Sequence, residues 1–451
     1  MLRRKIEGQF LAWKGESRKA LLVTGARQIG KSYSIRAFGK AHYRSYVEFN
    51  LLENGRAKKV FSEATDVADL INRIVLLSDV PLVDHDALVF IDEIQELPDI
   101  MTMAKFLVED GRFSYAFSGS MLGTEFKGVR SYPVGYVREA TMRPLDFEEY
   151  CWALNVPEAV LDDVRAAFVE RVPVERYVHE SLLRNFRTYL VVGGMPEVVQ
   201  RYLDDGYALA STRSLQSELV AQYRHDIEKY AGAAALRVRD VFDRIPLQLE
   251  EPNSRFVVSS LGADARYGRY AKDFLWLVNA GVALKVERVS EAKSPLKRTE
   301  LPSKFKLYHS DTGMLLSRYP QSTARAAYLD ERAPNLGGVY ENAVAQELVA
   351  QGIVSYYFLD GARNEVDFLI EGKCGRVVPI EVKSGRKFRN HAAIDGVLAN
   401  RASRACEGVV LCRSNVEVEG KVTYAPFYMC FCLSELVEAG EPDFAVRPAV
   451  W

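Results

Sequence analysis

The chain has 451 residues, room for two or three domains at roughly 150 residues each. With 48% hydrophobic and 26% charged residues it has the composition of a soluble globular protein rather than a disordered, fibrous or membrane one. A formal net charge of −1 excludes binding of nucleic acid by overall basicity, so any such contact needs a local patch.

The six cysteines show neither C-x-x-C pairs nor zinc spacing, the usage expected of reduced thiols in a cytoplasmic protein. The basic start Met1-Leu2-Arg3-Arg4-Lys5 lacks the apolar run of a signal peptide. No window approaches the ~18 apolar residues of a membrane helix, so no membrane partner is expected.

Residues 6–13 predict a short amphipathic helix, and Leu21-Leu22-Val23 an apolar strand. Next comes Gly25-Ala26-Arg27-Gln28-Ile29-Gly30-Lys31-Ser32, which fits G-x-x-x-x-G-K-[ST], a phosphate-cradling P-loop. Glycines at its two ends allow the backbone to turn its N–H groups toward phosphate. The helix that follows adds its N-terminal dipole. Lys31 is placed to reach the β- and γ-phosphates of ATP, and Ser32 to hold Mg²⁺. Residues 45–50 alternate like a strand, 67–77 have helical spacing, and Leu88-Val89-Phe90-Ile91 runs into Asp92-Glu93. A buried parallel strand presents its C-terminal end to the ligand. Asp92 therefore falls where Mg²⁺ needs a carboxylate, and Glu93 where a water needs polarising. A further strand, 113–118, ends in Ser118-Gly119-Ser120. Strands alternating with helices predict an α/β core over 1–145.

Residues 146–207 are helix-rich, broken at Gly193-Gly194. Between 208 and 330, two amphipathic helices (236–245 and 267–280) and two strands (282–288 and 305–309) spell a winged helix-turn-helix. Its cations Arg266, Arg269, Lys297 and Arg298, with Lys272, Lys293, Lys304 and Lys306, form a candidate DNA-phosphate surface. From 331 to the end, a helix carrying Glu341 precedes strands at 354–359, 365–370 and 376–383. Alternation puts Glu365 and Asp367 on one face of their strand, and Glu381 and Lys383 on one face of the next. An Asp followed by Glu-x-Lys is the layout of PD-(D/E)xK nucleases. In that chemistry Asp367 and Glu381 hold Mg²⁺ or Mn²⁺, Glu341 completes the set, and Lys383 orients water. Arg386, Lys387 and Arg389 add charge nearby. The competing reading is the wet face of a half-exposed sheet.

Gly25 to Ser32, Ile91-Asp92-Glu93-Ile94-Gln95, Phe117-Ser118-Gly119-Ser120, Tyr132-Pro133-Val134-Gly135-Tyr136-Val137, Pro144-Leu145-Asp146-Phe147-Glu148-Glu149-Tyr150 and Val192-Gly193-Gly194-Met195-Pro196-Glu197 together resemble a bacterial and archaeal family of AAA-type ATPases. That resemblance implies an AAA-type P-loop core, a helical lid over 146–207 and a C-terminal restriction-endonuclease-like α/β domain. It also implies a polar γ-phosphate sensor at Ser118 or Ser120, and an arginine among Arg143, Arg184 and Arg187 that serves the same phosphate in its own or a neighbouring subunit. Tyr136 stands where many related ATPases have arginine, which leaves that finger unassigned. Two functions follow as expectations. One is an ATP-hydrolysing protein acting on DNA with a metal-dependent nuclease site, possible as a homo-oligomer. The other is a regulatory ATPase whose C-terminal domain only binds a partner or nucleic acid.

Overall fold

A computed structural model describes residues 2–16, 18–119, 133–251, 253–331, 336–360, 364–385 and 388–437. Ser120, Tyr132, Arg386 and Lys387 lie outside the described residues. The chain divides into two compact units. The first comprises Met1–Leu145 with Met195–Gln200 and Lys272–Val282, and the second comprises Asp146–Gly194, Arg201–Ala271 and Ala283–Trp451.

The first unit is built on a five-stranded parallel sheet in the order β2-β3-β4-β1-β5. Its strands are β1 (Ala20–Thr24), β2 (Ser45–Asn50), β3 (Ala87–Asp92), β4 (Ser114–Ser118) and β5 (Val137–Thr141). All six residues of β3 are buried, and the five before Asp92 are apolar, as a central strand covered on both faces requires. Ala87, Val89 and Ile91 face a core with Leu70, Ile71 and Ile74 of the helix Val67–Leu77. That helix starts at Asp66, whose side chain accepts from Asp69 N and satisfies one of the first-turn donors. Polar residues at strand ends survive this packing only where they have partners, and those ends are Asn50, Asp92 and Ser118.

The second unit holds an eight-stranded mixed sheet in the order β12-β13-β11-β10-β9-β8-β6-β7. Its strands are β6 (Ala283–Val289), β7 (Glu300–His309), β8 (Ser355–Asp360), β9 (Asn364–Gly372), β10 (Arg376–Val382), β11 (Gly408–Cys412), β12 (Glu417–Glu419) and β13 (Val422–Pro426).

This topology places the hairpin and the helices of the two middle regions. The hairpin β6–β7 is not a free-standing wing, since Glu287 to Val289 of β6 pair in parallel with Tyr356 to Phe358 of β8. The hairpin loop packs as well: Ala292 and Leu296 are buried among Tyr356, Val366, Leu369 and Val377, and Leu296 N donates to Glu371 Oε1 at 2.5 Å. Burying those two apolar side chains is worth more than leaving a solvated wing, at roughly 1–3 kcal/mol for a leucine. The helix expected to pair with that wing, Tyr267–Asn279, belongs to the first unit from Lys272 onward.

The expected lid helices divide between the two units. Of residues 146–207, only Met195–Gln200 belongs to the first unit. The helices Phe147–Ala153 and Arg176–Val192 bury aromatic faces inside the second unit instead. Phe147 meets Phe186 edge-on at 5.2 Å, Phe186 stacks on Phe427 at 6.1 Å, and Tyr340 meets Phe427 at 4.4 Å. Buried Glu347 accepts from Phe147 N at 2.7 Å and from the Tyr189 hydroxyl at 3.2 Å. Such contacts make these helices part of the second unit's core.

Candidate functional site

The P-loop geometry follows from its glycines. Gly25 has φ 132° and Gly30 φ 89°, both in the region closed to most side chains. A Cβ at Gly25 would collide with the Met142 carbonyl. The loop is braced from outside by buried Arg4, which donates to Ile29 O at 3.1 Å and to Arg143 O at 2.6 Å. Arg4 carries no motif, so the sequence gives no signal of this role.

Lys31 opens the helix Lys31–His42 and is 8% exposed. Its ammonium donates to Gly25 O at 3.0 Å and to Ala26 O at 2.6 Å. Burial lowers its pKa to about 8, with Glu93 and Asp92 nearby acting in the opposite sense and Arg27 reinforcing the drop. Asp92 is the hub of the site. Its Oδ2 accepts from Ser32 Oγ at 2.7 Å and, more distantly, from Asn50 Nδ2 at 3.4 Å. Its Oδ1 accepts from the Ser118 hydroxyl and from Glu93 N at 2.9 Å. Burial raises the Asp92 carboxyl above its ordinary range, while the Ser118 and Ser32 hydroxyls pull it back.

Glu93 sits at φ 54°, ψ 50°, left-handed backbone that is uncommon outside glycine, asparagine and aspartate. One Oε2 of Glu93 accepts from Gln95 Nε2 at 2.5 Å. The turn thus aims the carboxylate, and Gln95 holds it. Sequence reasoning missed both Asn50 and Gln95. Their only signal is position, a polar residue at a strand end and one two residues beyond the acid.

Ser32, Asp92, Glu93, Ser118 and Lys31 are thus brought together, at the ends of β1, β3 and β4. Ala26, Arg27, Gln28 and Ile29 complete the loop, and Gln28 has φ 62°. Oxygen donors from Ser32 and Asp92 fit the preference of Mg²⁺ for a few hard ligands plus water and phosphate. Of the arginine candidates, burial lowers the pKa of Arg143, Arg184 is exposed, and Arg187 pairs with Asp330 at 3.7 Å. Two of these belong to the second unit and Arg143 to the first.

The nuclease-like residues lie in the second unit. The pairing of Phe368 with Ile380 brings Asp367 and Glu381 to neighbouring positions on β9 and β10. Asp367 Oδ2 accepts from Val382 N at 2.9 Å, and Lys383 Nζ lies 2.6 Å from Glu381 Oε2. A residue counted above among the DNA-facing cations also enters this cluster. Lys306, fully buried on β7, places its ammonium 2.8 Å from Glu365 Oε1, 3.1 Å from Glu341 Oε2 and 3.5 Å from Asp367 Oδ1. Arg255 takes the other oxygen of Glu365, and the Tyr308 hydroxyl donates to Glu341 Oε2 at 3.1 Å. Lys306 is therefore no surface cation.

The fit of a divalent metal can be judged from these donors. Both oxygens of Asp367 and of Glu365 are engaged, and an ammonium stands within 3.5 Å of three of the acids. Among the described residues no group of three or more His, Cys, Asp or Glu side chains is arranged to hold a metal ion. As folded, Glu341, Asp367 and Glu381 do not fit one.

The DNA candidates Arg266, Arg269, Lys297 and Arg298 are all exposed. They sit on two different supports, the start of the helix Tyr267–Asn279 and the packed turn Leu296–Thr299, rather than on a helix and its wing.

Comparison with known families matches residues 17–151 to an AAA domain. The chain therefore carries an AAA-type P-loop ATPase domain. Two further stretches match domains of unknown function, residues 183–323 (DUF8612) and 336–428 (DUF4143). No curated protein matches the chain. Solved structures that match include a Walker-type ATPase of Pyrococcus abyssi, 14% identical over 70% of this chain and 96% of that one, with a TM-score of 0.42. The Aeropyrum pernix ORC1 protein in complex with DNA matches at 14% identity over 73% and 93%, TM-score 0.25. Drosophila ORC bound to DNA matches at 11% over 67% and 92%, TM-score 0.27. No helix among the described residues is long and apolar enough to cross a membrane.

Proposed function

We propose that this chain is a nucleotide-driven switch: its AAA-type domain hydrolyses ATP, and its second unit engages DNA as a binding module without cutting it. The observation that carries the ATPase part is the single carboxylate of Asp92, shared by the Ser32 and Ser118 hydroxyls and flanked by Glu93. Ser32 and Asp92 would hold Mg²⁺ beside bound ATP, where the ion would supply positive charge against the phosphates. Lys31 turns from its loop carbonyls to the phosphates, and Ser118 donates toward the γ-phosphate from the end of β4. Glu93, held by Gln95, accepts hydrogen bonding from the attacking water. Exposed Arg266, Arg269, Lys297 and Arg298 support phosphate contact.

The test is steady-state ATP turnover by the full chain with and without double-stranded, branched and single-stranded DNA. Glu93→Gln is expected to bind ATP but stall hydrolysis. Turnover that ignores every DNA, in a protein that also fails to bind it, overturns the DNA part.

A metal-dependent nuclease is the second reading, favoured by the closeness of Asp367, Glu381 and Lys383. It requires a divalent cation where the carboxylates already meet protein cations. Cleavage of any DNA in Mg²⁺ or Mn²⁺, abolished by Asp367→Asn, would establish it in place of the binding module.

A further inference from the structure

Four carboxylates, from Glu341, Glu365, Asp367 and Glu381, converge in the second unit from one helix and two strands. Carboxylates this close repel unless a cation stands between them. Three protein cations do so: Lys306 touches three of the acids, Arg255 the free oxygen of Glu365, and Lys383 the carboxylate of Glu381. We propose that Lys306 is the resident cation of this cluster, its ammonium standing in the place of a divalent metal, so that the acidic cluster is a metal-independent site.

Several observations converge on Lys306. An ammonium has three N–H donors and no acceptor; Lys306 donates to Glu341 and Asp367 and forms an ion pair with Glu365. Its side chain has no route to solvent, being 1% exposed, and its Nζ lies 5.6 Å from the centre of the Tyr357 ring. The backbone is pinned by pairing with Val286 and by an isolated bridge to Arg255. A buried lysine is tolerated only when paired, and three carboxylates lie within 3.5 Å of this ammonium. A hard divalent ion would need six or more oxygen ligands, most of which are already accepting from nitrogen or tyrosine donors. The ammonium also links β7 to the helix Leu336–Ala350 and to β9, a structural bond that a dissociable metal would make conditional.

This deepens the binding-module reading of the second unit and rests on it. The experiment is titration of the full chain with Mn²⁺, without nucleotide, followed by electron paramagnetic resonance. Wild type and Asp367→Asn are expected to bind the same amount of Mn²⁺. Lys306→Met, which keeps the length of the shaft and removes the charge, is expected to gain one Mn²⁺ per chain, lost again when Asp367→Asn is added. Mn²⁺ held by wild type and released by Asp367→Asn overturns the proposal, as does a folded Lys306→Met that gains none. If Lys306→Met does not fold, the comparison of wild type with Asp367→Asn decides alone, and Glu381→Gln replaces Asp367→Asn if that fails to fold. The two ideas fail separately. DNA cleavage that persists in a chelator removes the binding-module reading and leaves Lys306 in place, whereas Asp367-dependent Mn²⁺ binding without cleavage does the reverse.

Discussion

ATP affinity should fall as pH rises through the pKa of Lys31, and the size of the effect follows from the site. Burial holds that pKa at about 8, so at pH 7 the side chain is about 90% charged and at pH 9 only about 10%. A bound triphosphate stabilises the ammonium and raises its pKa well above 9. Binding at pH 9 must then take up about 0.9 proton per ATP, and affinity should drop about tenfold between pH 7 and pH 9, or about 1.4 kcal/mol. The sign is that of a base whose pKa rises on binding: affinity is full at low pH and lost above about pH 8. Isothermal titration at pH 9 in two buffers of different ionisation enthalpy measures the proton count directly, free of the γ-phosphate, which is already ionised there. Lys31→Arg keeps its charge across the range and should flatten the profile. Equal affinity at both pH values in wild type, or an unchanged slope in Lys31→Arg, would refute the reasoning.

Gln95→Ala should lower turnover several-fold with little change in ATP affinity, because it removes one hydrogen-bond partner of Glu93 without touching the phosphates; a tenfold rise in Kd instead would assign Gln95 to binding. Replacing Arg266, Arg269, Lys297 and Arg298 with alanine should reduce the salt slope of DNA binding by about one unit for each phosphate these side chains neutralise, and an unchanged slope would leave them without a DNA role. Acid stability has two opposed contributors side by side. Buried His309, its pKa lowered to about 3, costs about 2 kcal/mol of stability between pH 7 and pH 5, while buried Asp311, raised to about 6, returns about 1 kcal/mol over the same interval. Urea melts at the two pH values should show a steeper acid loss in Asp311→Asn and a gain in His309→Asn; parallel behaviour of the variants would dismiss both assignments.

The motif residues of the candidate nucleotide site are legible because each belongs to a local pattern. A P-loop needs its glycines, and an apolar strand running into Asp92 declares where its acidic end faces. Gln95 and Asn50 were not legible, since a lone amide beside a motif looks like any turn residue. Lys306 misled for a physical reason. In Phe305-Lys306-Leu307-Tyr308 a charged residue alternates with apolar ones, the pattern of a solvated strand face, and only acids 35 to 61 positions away turn that face inward. The helices of 146–194 carry a similar ambiguity. Amphipathic spacing shows that one face is buried, and says nothing about which unit covers it.

The first unit's discontinuity bears on how the chain comes to fold. Gly281, at φ 73°, brings its backbone so close to the P-loop that a Cβ would lie 3.1 Å from Ala26 N, and Pro196 borders Gly30. Both belong to the nucleotide-binding unit although they follow its sheet by some fifty and more than a hundred residues. Domains generally fold in the order of synthesis, N-terminal first. Here the ribosome delivers β1 to β5 early, yet the cradle lacks one wall until residue 200 has emerged and a second until residue 282 has. A fragment ending at Leu145 would contain every nucleotide-site motif and still be an unfinished binding site.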